Sequence, residues 1–255
     1  LCVISIRDRL SRAVGRLTRS AVDVLFPPRC VRCAVDLAAS WPILLCTECA
    51  EQLTASGEAS CRRCGAWRAA SRGDASSCGE CQSARLEFDA VMSLGPYRGA
   101  LREAILEMKR PQGEPLSAAV AGLLAARRGE QIRSFEPDGI VPVPMFWRRR
   151  MWRGTNSAEL LATEIGRILN IPVVPGLVVR TRNTIPQKDL SSRQRFQNVR
   201  GAFRIGKGYG LGGARIVVVD DVLTTGATCG EVAKTLKKAG AAGVAVVVAG
   251  RAGQD

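Results

Sequence analysis

The chain has 255 residues, 37 Lys and Arg against 23 Asp and Glu, ten cysteines, no histidine and a formal net charge of +14. That length suits one medium domain with a smaller module and is enough to bury a core. No apolar run approaches the roughly 20 residues that span a bilayer, and no basic start leads into a signal-like apolar segment, so the class expected is a cytoplasmic protein with no transmembrane segment.

In residues 1 to 26, Ile6, Leu10, Val14, Leu17, Ala21 and Val24 recur at steps of three and four with arginines between them. The pattern predicts a basic amphipathic helix that docks its apolar stripe on the rest of the protein, with an anionic membrane surface as the alternative. Phe26, Pro27 and Pro28 end it.

Residues 27 to 87 hold four CxxC pairs: Cys30/Cys33, Cys46/Cys49, Cys61/Cys64 and Cys78/Cys81. A CxxC turn brings two thiolates to one side of a tight loop, and two such turns complete the tetrahedral sulfur shell of a closed structural zinc site. Disulfides are disfavoured in a reducing cytoplasm, and a redox role fits poorly with four regular pairs outside a βαβ context. With no histidine, both Zn²⁺ sites would be all-cysteine. Sequential pairing needs the shortest loops; crossed pairing is the alternative. Large apolar residues are few here, so metal, at on the order of 10 kcal/mol per site, must supply much of the stability. Its removal is expected to unfold this module and spare the larger domain. Gly65 follows Cys64 where a knuckle needs a backbone without a Cβ. Cys2 and Cys229 stand apart as free thiols.

Residues 88 to 255 have the apolar runs and helical periods of an α/β domain. Tyr97 to Lys109 and Leu116 to Arg127 have helical spacing, Ile140 to Val143 reads as a strand, and Ser157 to Asn170 as a helix. Between Arg148 and Arg204 stand 12 Arg and Lys against Glu159, Glu164 and Asp189, a surplus that attracts polyanions: phosphate esters or nucleic acid, with a solvated basic face as the bland reading.

Ile216 to Val219 is the β-branched run of a strand buried on both faces, and Asp220 and Asp221 mark its carboxyl end. Ligands of open α/β sheets bind at such ends. Thr224, Thr225, Gly226, Ala227 and Thr228 then offer hydroxyls and backbone amides at the start of a helix, Cys229 to Ala239, stopped by Gly240. Two carboxylates would repel a phosphate. A phosphorylated sugar removes the conflict, because its hydroxyls seek acceptors at a distance from its phosphate and a bound Mg²⁺ offsets the remaining charge.

The run VVVDDVLTTGAT resembles the phosphoribosyl diphosphate (PRPP) signature of type I phosphoribosyltransferases. The resemblance implies that Asp220 and Asp221 hold the ribose 2′ and 3′ hydroxyls and that Thr224 to Thr228 bind the 5′-phosphate. Together with the CxxC pairs, VPVPMFWRRRMWRGTN and RTRNTIPQKDLSSRQRFQNVRGAF resemble the ComF family, associated with DNA uptake in natural transformation, from about Phe26 to Arg251. The fold implied by that resemblance is a type I phosphoribosyltransferase-like α/β domain with a doubly wound, mostly parallel sheet, preceded by a double zinc ribbon. Arg148, Arg149, Arg150 and Arg153 stand where related enzymes bind diphosphate, although this chain reads Arg153-Gly154-Thr155-Asn156-Ser157 where the family has RGFN and glutamine. Residues 180 to 204, with Gln187, Lys188, Arg193, Arg195 and Asn198, resemble the family's mobile flap.

The resemblance leaves two functions open. One is a transferase in which Mg²⁺ and arginines stabilise the diphosphate leaving from PRPP, serving base metabolism. The other is a DNA-uptake factor that keeps the sugar pocket, binds single-stranded DNA with Trp147 and Trp152 as stacking surfaces, and docks a helicase-like partner.

Overall fold

The computed structural model describes residues 27–38, 43–54, 58–69, 78–82, 86–146, 156–185 and 190–253. The helix expected over residues 1 to 26 lies outside them.

Four parallel strands form the main sheet: β3 (Ala90–Pro96), β4 (Gly139–Pro142), β7 (Arg215–Leu223) and β8 (Gly243–Arg251), in the order β3-β8-β7-β4. Side chains of a strand alternate between faces, so every second residue enters one of two cores. Met92, Leu94, Val217, Val219, Ala245 and Val247 enter the first. Val91, Val141, Ile216, Val218, Val244 and Val246 enter the second. Because both faces are covered, the strands read as continuous apolar runs.

On the first face lie α3 (Gly99–Met108), α4 (Glu114–Ser134) and α5 (Ser157–Leu169), which contribute Ile105, Met108, Val120, Leu124, Leu161 and Ile165. Asn170 ends α5 in the left-handed conformation. On the second face lie α7 (Ala227–Lys238), through Val232, Ala233 and Leu236, and a hairpin of β5 (Val178–Arg180) with β6 (Phe203–Ile205). The doubly wound parallel sheet expected from the sequence is the architecture found.

Two expectations change. The strand expected to end at Asp220 and Asp221 runs on beside β8 to Leu223, opposite Arg251, because ladder hydrogen bonds use backbone groups whatever the side chains. The flap segment contains a helix, α6 (Ser192–Val199), closed by a capping box in which Ser191 accepts from Gln194 N and the Gln194 side chain accepts from Ser191 N.

The cysteine module carries two short helices, α1 (Thr47–Gln52) and α2 (Gly79–Gln82), and a hairpin of β1 (Glu58–Ser60) with β2 (Trp67–Ala69). It is built into the domain. Cys30, Leu45, Cys49 and Leu53 belong to the same buried cluster as α3 to α5. Arg62 O accepts from Val91 N at 2.9 Å, and Trp67 Nε1 donates to Ser93 Oγ at 3.1 Å.

Candidate functional site

The site arises where pairing stops. β4 is paired with β7 only as far as Pro142 opposite Val219, whereas β8 accompanies β7 to Leu223. Asp220 to Leu223 therefore run past the end of β4 and leave a crevice at the carboxyl edge of the sheet. A cavity of about 410 Å³ occupies it, lined by Asp220, Asp221, Thr224, Gly226, Ala227 and Thr228. Gly226, at φ +79°, turns the chain into α7 and, as its N-cap, offers no side-chain cap to the first amides. Thr225 lies apart, lining a second cavity of about 260 Å³, and its Oγ1 accepts from Ala227 N at 3.4 Å.

The two aspartates differ in surroundings. Asp221 Oδ2 accepts from Ser157 Oγ at 2.9 Å and faces Lys109 Nζ at 3.1 Å. Asp220 Oδ1 accepts from Asp221 N at 2.9 Å, and its Oδ2 faces the Cys229 thiol at 3.9 Å. Burial, and then repulsion from Asp221, push the Asp220 carboxyl up to about 7. Asp220 is therefore shifted toward its protonated form, able to donate as well as accept, while Asp221 is held by a cation and a hydroxyl. Burial, then the same two carboxylates, push the Cys229 thiol well above its ordinary range, which makes it a poor nucleophile.

Cations complete the lining. Arg180, whose Nη2 donates to Thr184 Oγ1, and Arg195, whose Nε donates to Leu190 O at 2.9 Å, reach the cavity from the hairpin and the α6 segment. Asn198 ties that segment down by accepting from Ile185 N at 3.1 Å and donating to Ile185 O at 2.9 Å. Acceptors for hydroxyls, amides for an anion and the cations Lys109, Arg180 and Arg195 thus share one concave space. Such a set suits a small polyol carrying phosphate.

The cysteines gather as Cys30, Cys33, Cys46 and Cys49 and as Cys61, Cys64, Cys78 and Cys81, each set with its sulfurs within 4.8 Å of one another. This is the sequential pairing. Four sulfurs about 2.3 Å from a tetrahedral Zn²⁺ would stand about 3.8 Å apart. The spacings Cys33–Cys46 3.6 Å, Cys61–Cys81 3.8 Å, Cys64–Cys78 3.5 Å and Cys78–Cys81 3.8 Å match that shell. Amides support the sulfurs, Cys49 N donating to Cys46 and Cys78 N to Cys81, both at 3.4 Å. Burial opposes ionisation of Cys30, yet backbone bonds from Cys46, Cys33 and Arg32 pull its thiol down to about 6. Burial pushes Cys49 and Cys64 up. Zn²⁺ binding has to displace the protons of such thiols, so metal affinity and thiol ionisation are linked. Both clusters fit structural zinc.

A family model described as a double zinc ribbon domain matches residues 21–82. Competence protein F of Haemophilus influenzae is 31% identical over 218 residues, which cover 83% of this chain and 92% of that protein. DNA utilization protein YhgH of Escherichia coli K12 is 34% identical over 227 residues, 86% of this chain and 95% of that protein. The chain belongs to the ComF family. Among solved structures, purine phosphoribosyltransferase from Pyrococcus horikoshii overlaps 50% of this chain and 78% of its own at 20% identity with a TM-score of 0.33. Glutamine PRPP amidotransferase from B. subtilis overlaps 56% and 30% at 22% identity with a TM-score of 0.38.

In this ComF family chain, Arg148, Arg149, Arg150, Arg153, Trp147, Trp152, Gln187 and Lys188 lie outside the described residues. Lys109, Ser157 and Arg180 were missed as site residues by sequence reasoning. Lys109 sits one residue beyond a helix that reads as core packing, Ser157 reads only as the position where the family has glutamine, and Arg180 only as the start of the flap segment. A basic residue at the carboxyl end of an apolar helix was the one available signal for Lys109, and it also fits dipole compensation. Among the described residues, no helix is long and apolar enough to cross a membrane.

Proposed function

We propose that this protein binds PRPP or a related phosphorylated sugar at the carboxyl end of β7 and uses that site in DNA uptake or DNA processing during natural transformation. One observation carries the reading: Asp220 and Asp221 line the same cavity as the loop residues Thr224, Gly226, Ala227 and Thr228. Asp220 and Asp221 accept from the ribose hydroxyls, and the amides and hydroxyls of the loop take the 5′-phosphate. Arg180, Arg195 and the arginines of residues 148 to 153 supply charge for a diphosphate. Two carboxylates are too few for an all-protein Mg²⁺ cage, so Mg²⁺ enters with the ligand's phosphates, as is usual for that ion. The DNA role draws on the names of the two relatives, a competence protein and a DNA utilization protein.

The test is calorimetric titration of PRPP and Mg²⁺ into the zinc-loaded full chain. Binding is expected, and Asp220→Asn with Asp221→Asn should weaken it on the order of 100-fold, two charge-assisted hydrogen bonds being lost, while the melting transition persists. The Asp220 carboxyl, with its pKa raised to about 7, is protonated below that pH, so Mg²⁺-dependent affinity should rise as pH increases through about 7 and lose that step in Asp220→Asn. A wild-type chain that ignores PRPP, or a double variant that binds as well, overturns the site. Diphosphate release with an added acceptor base would mark a transferase. Affinity for single-stranded DNA that falls steeply with salt, and falls again in Arg148→Ala, Arg149→Ala, Arg150→Ala, would mark the DNA role.

A further inference from the structure

Arg251 is buried, 4% exposed, at the last position of β8, a strand with neighbours on both sides. A guanidinium so placed must satisfy its donors inside the protein. Its Nε donates to Cys64 O at 2.9 Å, within the second cysteine knuckle. Its Nη1 donates to Thr224 O at 2.6 Å and Leu223 O at 3.2 Å, the two residues that open the phosphate loop, and also to Ala252 O. One side chain thus holds a carbonyl of a metal-ligating residue and two carbonyls of the loop beside the acidic pair. The knuckle has little freedom of its own, because a Cβ at Gly65 would stand 2.5 Å from Val91 Cγ1 and 3.6 Å from Arg251 Cδ. The first cysteine cluster has no such link among the described residues: it packs on α4, where a Cβ at Gly122 would meet Ile43 at 3.4 Å.

We infer that Arg251 is a positioning residue that couples the second cysteine cluster to the phosphate loop, so that Zn²⁺ in that cluster and a sugar phosphate in the cavity strengthen each other's binding. The physical reason is rigidity. When Zn²⁺ fixes Cys64, its carbonyl direction is set, Arg251 is held by it, and Arg251 in turn holds the carbonyls of Leu223 and Thr224. The residues that follow and line the cavity, Gly226 to Thr228, are then placed before any ligand arrives. With the cluster empty the knuckle loosens, Arg251 loses one anchor, and the ligand must order the loop itself. Thermodynamic linkage makes the effect reciprocal: whatever Zn²⁺ adds to sugar-phosphate affinity, the sugar phosphate adds to Zn²⁺ retention.

This inference rests on the sugar-phosphate reading of the cavity, and the experiment separates the two. Release of Zn²⁺ from the full chain to a chromophoric chelator is monitored with and without saturating ribose 5-phosphate, whose binding is measured in parallel by calorimetry. One of the two ions should leave on the order of five-fold more slowly with the ligand present, a typical coupling, while the other is unaffected. In Arg251→Lys, which keeps a cation but cannot span both carbonyl sets, ribose 5-phosphate should bind more weakly and should no longer protect either ion. A side chain with a merely structural role would lower the melting temperature without removing ligand protection. If the wild-type chain binds ribose 5-phosphate and both ions leave at unchanged rates, the coupling is wrong, and this outcome needs no variant to fold. If the wild-type chain binds neither ribose 5-phosphate nor PRPP, the reading of the cavity falls and takes the coupling with it; if it binds PRPP alone, the release comparison is made with PRPP and judged in the same way.

Discussion

In the first cysteine knuckle Ala34 N donates to Cys30 O at 2.8 Å and Cys30 N to Val35 O at 2.8 Å; in the second, Gly65 N donates to Cys61 O at 2.8 Å and Cys61 N to Ala66 O at 2.9 Å. The next cysteine pair opens a short helix in both, Cys46 before α1 and Cys78 before α2. The backbones are near copies, and what they touch is not. The first cluster sends Leu45 and Leu53 into the core beneath α3 to α5, and its Cys33 is exposed. In the second, all four cysteines are buried in a small cluster of their own, and the knuckle bears on β3 and, through Arg251, on the start of the loop after β7. The same local chemistry therefore supports the domain's core in one place and the loop beside Asp220 and Asp221 in the other. A metal-binding repeat fixes its own shape; its role is set by the surface it meets.

Removing each cluster gives the largest expected effects. Structural zinc contributes on the order of 10 kcal/mol, comparable to the whole stability of a domain. Cys30→Ser with Cys49→Ser should lose one Zn²⁺ and, because the core loses its backing at Leu45 and Leu53, should lower the thermal transition of the entire protein. Cys61→Ser with Cys64→Ser should also lose one Zn²⁺ but leave a cooperative transition of the sheet. Equal melting curves for the two variants would erase the distinction between the clusters. An unchanged sheet transition in the first variant would restore the simpler expectation that the metal module unfolds alone.

Glycine chemistry sharpens the comparison at lower energy. Ala34, at φ +59°, and Gly65, at φ +74°, occupy the same left-handed position in the two knuckles. Ala34→Gly should relieve a strain of about 1–2 kcal/mol, less the extra entropy of a glycine, for a net gain of up to about 1 kcal/mol. Gly65→Ala adds that strain and drives a methyl to 2.5 Å from Val91 Cγ1, so a loss of about 3 kcal/mol is expected in chemical denaturation. Effects of the same sign would mean that the two knuckles are not the equivalent turns their hydrogen bonds describe. The smallest effect belongs to the Arg29–Asp36 pair beside the first knuckle, 2.9 Å apart with side chains 66% and 63% exposed. Arg29→Ala should shift stability by no more than about 0.5 kcal/mol, and a larger loss would show that this edge of the module bears weight.

How far the chain could be read in advance depended on the range of each signal. Cysteine pairs three residues apart, an apolar run before Asp220 and Asp221, and a glycine opening a helix are local patterns, and each maps onto a local structure. The Ser-x-x-Gln signature of Ser191 and Gln194 was equally local and would have revealed α6 inside the segment read as a flap. The acidic pair looked like the end of its strand because side-chain pattern was the only guide, whereas the ladder with β8 is held by backbone groups.

The sequence by itself determined the four CxxC turns, the β7-loop-α7 unit and the α/β class, since turn geometry and strand burial are decided within a few residues, whereas the pairing of those turns into two four-cysteine sets came from the fold. Only the tertiary structure decided that Ser157 meets Asp221, 64 positions away, that Lys109 pairs with the same carboxylate, and that Arg251 reaches Cys64 across 187 positions. The reason is the strand order β3-β8-β7-β4, which sets the first strand of the sheet beside the last and lets Arg251 bridge the second cysteine knuckle to the carbonyls of Leu223 and Thr224. No short stretch of residues encodes that neighbourhood; it exists once the two buried faces of the sheet have closed.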